Sequence, residues 1–168
     1  MSALEPLEKS LSDLFVKQAP ALPANGKKAL VQYLPWINLV AGVVSVLAAY
    51  GLYHTAHYVN RAADLVNSLS AAYGGQPVVS YHVSLITWLA IAVLAVSGVL
   101  YLMAYMPTKE RKANGWDLMF YALLVNLAYG VLAAFTDYGG IGRLFGSIVS
   151  FAIGGWLLFQ IKSLYLKK

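Results

Sequence analysis

The stretch PWINLVAGVVSVLAAYGLY, residues 35–53, decides the fold class. It contains no Asp, Glu, Lys or Arg, and about 20 such residues at 1.5 Å rise cross a hydrocarbon core of roughly 30 Å. It reads as a membrane-spanning helix. Working outward, the uncharged run extends over 29–60, and three more follow at 65–108, 118–136 and 144–161. The last two are about one span long. The first two are longer, so each must hold a span and something else.

Composition supports the same reading over the whole chain. Of 168 residues, 60% are hydrophobic and 11% charged, where a soluble domain has roughly 45–50% and about 25%. A soluble fold of this size needs charge to cover its surface, whereas a chain solvated by lipid does not. The sequence has no cysteine, which excludes a disulfide scaffold, thiolate metal sites, Fe–S clusters and a cysteine nucleophile.

Prolines and aromatic residues place the ends of the spans at about 35–53, 84–105, 116–135 and 141–161. Tyr33, Trp36, Tyr105, Trp116 and Tyr165 suit one interfacial belt, and Tyr53, Tyr58, Tyr81, Trp88 and Tyr138 the other. The expected fold is all-α: an integral membrane four-helix bundle with an N-terminal amphipathic interfacial helix and an amphipathic outer helical segment between spans 1 and 2. Residues 1–32 form the arm and 33–168 the membrane domain. No internal repeat of the transporter kind is visible.

Basic residues give the orientation. Lys9, Lys17, Lys27 and Lys28 precede span 1, Lys109, Arg111 and Lys112 separate spans 2 and 3, and Lys162, Lys167 and Lys168 follow span 4. Only Arg61 and Arg143 fall in the alternate connections. Such a bias puts both termini and the loop 106–115 in the cytoplasm. Short loops and the lack of cysteine fit a bacterial cytoplasmic membrane. The net charge of +5 then reports topology and attraction to a lipid bilayer with anionic headgroups. Nucleic acid is not an expected partner, because no basic patch is interleaved with aromatics outside the membrane. A cleaved signal peptide fits poorly, since the apolar run is span-length and starts far from Met1.

The arm carries Leu4, Leu7, Leu11, Leu14 and Phe15 at spacings of three or four, the pattern of an amphipathic helix, which Pro20 and Pro23 end. A second short stretch, 27–33, leads to Pro35, which suits the first turn of a new helix. In the outer segment, about 54–73, Tyr58, Ala62, Leu65, Leu69 and Ala72 recur at helical spacing, and Gly74, Gly75 and Pro77 stop the helix. Span 1 either continues into this segment or hinges near Gly51. On another face His54, His57, Arg61 and Asp64 line up.

Three constellations are candidate sites. In span 4, Gly142, Gly146, Ser150 and Gly154 stand four apart, and span 3 has a matching row in Ala122, Asn126, Gly130 and Ala134. Small residues at that interval let helices approach closely, within the bundle or between copies. His54, His57 and His82 could converge near the outer boundary as a metal or haem site, although no HExxH pattern accompanies them. Asn126, Asn38 and Gln160 are the amides at membrane depth. They would bond across helices or line a polar path.

No charge lies in the core of a span, and no GxSxG elbow, phosphate loop or carboxylate pair is present. Asp137 would pair with Arg143 across the outer turn. The chain is therefore expected to be a small accessory, scaffold or assembly subunit acting through helix packing, in a homo-oligomer or with a membrane-protein partner. Catalysis is not expected, nor is a cofactor. The alternatives are an oligomeric channel or small-solute transporter, and a metal- or haem-binding redox subunit.

Overall fold

The computed structural model describes residues 5–80, 83–136 and 140–165. The described residues form a short helix α1 (Glu5–Ser12), a π-helical turn (Asp13–Gln18), and four long helices: α2 (Ala24–Ala72), α3 (Leu85–Lys109), α4 (Ala113–Ala134) and α5 (Ile141–Tyr165). All four long helices are long and apolar enough to cross a membrane. The chain is a multi-pass membrane protein.

Helix α2 has 49 residues, about 74 Å of helix, more than twice the roughly 30 Å hydrocarbon core. It starts at Ala24, so the expectation of a new helix at Pro35 is corrected: Pro35 lies buried inside α2. Proline removes its own N–H, and so its bond to the carbonyl four residues back, without stopping a helix whose flanking turns stay paired and packed. At the other end α2 passes Gly51 without a break and takes in residues 54–72 as well. Of the two readings of the outer segment, the continuous one holds.

The same helix carries Gly42, Ala49, Ala56 and Ala63, all buried and seven residues apart. A seven-residue period keeps one narrow seam turned toward a neighbouring helix over many turns. Helices α2, α3, α4 and α5 each pack on the next, whereas α2 and α5 touch little. Adjacent helices run antiparallel. Asn38 meets Thr108 at one end of the α2/α3 pair, and Tyr53 meets Trp88 at the other.

The core lies at the end bearing the N-terminal arm, the α3/α4 loop and the end of α5, here called the basic end. Phe15, Val31, Ala104, Trp116, Met119, Phe120, Leu158, Phe159, Ile161 and Tyr165 form it. Trp116 stacks on Phe120 at 5.2 Å, and Phe159 meets both edge to face. The α3/α4 loop is three residues long, and Arg111 takes a left-handed backbone there, with φ of 55°. Gly115 follows because a Cβ would stand 2.6 Å from the Thr108 nitrogen.

Candidate functional site

Past Tyr53, α2 continues as an arm. From Tyr53, beside Trp88 with ring centroids 5.9 Å apart, to its end at Ala72 the helix climbs about 28 Å. The chain then turns through Gly74, whose φ is 74°, and comes back along the arm. Asn67 holds it there. Its Oδ1 accepts the N–H groups of Val78 and Val79, both at 3.0 Å, and its Nδ2 donates to the Val79 carbonyl at 2.8 Å. One heptad below, Asn60 Oδ1 accepts the Val83 N–H at 2.9 Å, and Ser70 Oγ donates to the Gln76 carbonyl at 2.7 Å. Extended chain without a sheet partner must satisfy its backbone groups by other means, and side-chain amides do so here.

Asn60 and Asn67 were not singled out by the sequence reading. Their signal was available: two amides seven apart share one helix face, ahead of a turn and a run containing valines.

Among the described residues nothing covers the opposite side of the arm. Tyr58, Leu65 and Leu69 form a stripe along α2 that Tyr73, just past its end, extends, with Leu65 60% and Leu69 52% exposed. Beside the stripe, His54 lies 4.3 Å from the Tyr50 ring and His57 stacks on Tyr53 at 5.9 Å. Among the described residues no three of His, Cys, Asp and Glu gather as metal ligands. His82, the third member of the expected set, lies outside them, as do Asp137 and Tyr138.

The three candidate amides each have partners. Asn38, 3% exposed, donates to Thr108 Oγ1 at 3.4 Å, and Thr108 in turn donates to the Ala104 carbonyl at 2.6 Å. Asn126 Nδ2 reaches Ser97 Oγ on α3 at 2.9 Å and the Ala122 carbonyl in its own helix at 2.7 Å. Gln160 is buried and holds the N-terminal arm. It donates to the Phe15 carbonyl at 2.9 Å and accepts the Leu22 N–H at 3.2 Å. Trp156 Nε1 donates to the Pro20 carbonyl at 3.0 Å, Lys162 pairs with Glu8, and Phe15 packs onto Gly155. Further out on the arm, the Lys17 ammonium beside Asp13 holds its carboxyl below the ordinary carboxylate value.

The two small-residue rows meet only in part. Gly130 lies against Ser147, whose Oγ would be 2.8 Å from an added Cβ, and Gly154 lies against Leu123 at 2.9 Å. At Gly142 and Gly146 none of the described residues lies within 4 Å of an added Cβ. The α4/α5 contact line therefore runs one residue beside Gly146, through Ser147, and leaves Gly142, Gly146 and Ser150 open. Ala122 is fully buried and Ala134 partly so. A four-residue period is the same on and beside the contact line, so spacing alone does not choose between them. Asn126, Gly130, Arg143, Gly146, Ser147 and Ser150 line a cleft of about 280 Å³ between α4 and α5.

Compared with family models, curated proteins and solved structures, the chain finds no match in any of the three.

Proposed function

We propose that this membrane protein is an accessory, scaffold or assembly subunit that holds a membrane-protein partner along the outer half of α2. The observation behind it is the braced arm. Asn60 and Asn67 tie the returning chain to one side, while Tyr58, Leu65, Leu69 and Tyr73 leave the other side apolar and uncovered. An apolar stripe standing beyond the bilayer gains by burial, at roughly 25 cal/mol per Å² removed from water. Orientation follows the basic residues, with both termini cytoplasmic and the arm outside, as in a bacterial cytoplasmic membrane.

The test is native electrophoresis of mild-detergent extracts from the source membrane. The chain is expected in a complex larger than its monomer, and Leu65→Glu/Leu69→Glu is expected to release it as a monomer. Unchanged migration of that variant would count against the arm as the contact.

One observation favours the channel or transporter alternative. The cleft between α4 and α5, apolar over most of its lining but containing Asn126, Ser147, Ser150 and Arg143, opens beside the row Gly142, Gly146 and Ser150, so a second copy docking there would enclose those polar side chains. Solute flux in liposomes above that of empty vesicles would support it, and flux lost in Gly146→Leu would place the path at this seam.

A further inference from the structure

At the basic end, three cations from three parts of the chain line one pocket of about 520 Å³: Lys28 from α2, Lys109 from the end of α3 and Arg111 from the loop, with Val31, Gln32, Pro35 and Trp36 of α2 as the rest of its lining. Among the described residues no carboxylate lines it. Three carboxylates at this end pair with other cations, Asp13 with Lys17, Glu110 with Lys112 and Glu8 with Lys162, and Asp117 near the start of α4 does not line the pocket. Three like charges around a space of this size repel one another unless an anion enters.

The depth of the pocket identifies the anion. Trp36 meets Tyr105 edge to face at 5.9 Å, and Lys109 Nζ lies 5.9 Å from the centre of the Tyr105 ring. A second aromatic pair, Tyr53 with Trp88, stands seventeen residues further along both helices, about 26 Å away. That is close to the thickness of a hydrocarbon core, so the two pairs mark its two faces and the basic pocket sits at headgroup level. Trp36 also lines a shallow, open apolar groove on the face of α2, with Tyr33 before it and Ile37, Val40, Ala41 and Val44 beyond it. A cationic pocket joined at the interface to an apolar groove matches both halves of a phospholipid.

We propose that Lys28, Lys109 and Arg111 hold the phosphate of an anionic phospholipid whose acyl chain lies in the groove that Trp36 lines. The site rests on the membrane placement of the helices and is independent of the outer arm. Arg111 supplies a planar fork for two phosphate oxygens, and the two lysines supply point charges. Free phosphate shares the headgroup chemistry but has nothing to place in the groove.

The test is native mass spectrometry of the full chain extracted from vesicles of equal phosphatidylglycerol and phosphatidylcholine. Retention of phosphatidylglycerol over phosphatidylcholine is expected. Near the surface each cation contributes about 1 kcal/mol, so Lys109→Gln/Arg111→Gln should lower that retention by about tenfold or more. Lys28→Gln reads the same site from a different helix and should lower it severalfold without touching the loop. Lys9→Gln/Lys17→Gln removes as much charge outside the pocket and should leave it unchanged. Equal retention of the two lipids would overturn the proposal, as would equal loss in the control variant. Displacement of the lipid by millimolar inorganic phosphate would reassign the pocket to a soluble anion.

Discussion

Gly42 and Gly98 face each other where α2 and α3 cross: a Cβ on Gly42 would stand 3.0 Å from the Gly98 carbonyl oxygen, and one on Gly98 would stand 3.1 Å from the Gly42 carbonyl oxygen. The neighbouring side chains leave no room either, with Leu102 Cγ 2.7 Å and Val46 Cγ2 2.8 Å from the two added atoms. This is the closest backbone approach of the α2/α3 pair that the glycines record, and it decides where a larger side chain does harm. Gly98→Leu should force the helices apart and cost about 1–3 kcal/mol or more by overpacking. Gly146→Leu, with none of the described residues within 4 Å of its Cβ, should leave the monomer's thermal stability in detergent unchanged. Equal stability of the two variants would refute the assignment of the crossing.

Gln160 ties α5 to the N-terminal arm through the Phe15 carbonyl and the Leu22 N–H. Gln160→Ala leaves both backbone groups short of a partner in a buried site, a cost of about 1–3 kcal/mol. The arm should loosen while the bundle stays folded. Hydrogen exchange would show faster labelling of residues 13–22 and unchanged protection in α4, and full protection of the arm would rule out the clamp.

Asn67 satisfies three backbone groups of the returning chain. Asn67→Ala should free the Val78 and Val79 amides to exchange at rates near those of an open loop, at a cost of about 1 kcal/mol per lost bond. Asn67→Asp keeps the acceptor and loses only the bond to the Val79 carbonyl, so it should fall between the two. An order of exchange rates other than Asn, Asp, Ala would contradict the bracing role.

The absence of cysteine makes topology directly testable. Ser80→Cys, on the returning chain, should react with a membrane-impermeant maleimide on intact cells. Ser163→Cys, near the end of α5, should react only after permeabilisation. The reverse labelling would invert the orientation and move the basic pocket to the outer leaflet.

The sequence by itself determined the fold class, the number of spans and where the polar connections lie. Those follow from one-dimensional quantities: in hydrocarbon every backbone group must be paired within a helix, so span length and charge placement are written along the chain. It also exposed the apolar stripe of the outer segment, because a helical period is local. The tertiary structure decided the rest. Gly142 and Gly146 carry the more conspicuous small-residue spacing, yet Gly42 and Gly98 make the close crossing. Asn126 and Asn38 bond to α3, and Gln160 turns to the N-terminal arm. Lys28, Lys109 and Arg111 share one pocket. Each of these depends on how far one helix is rotated and shifted against another, which is set by the fit of bulky neighbours such as Leu102 and Phe15. That fit joins residues distant in the chain, and periodicity within a single helix carries no record of it.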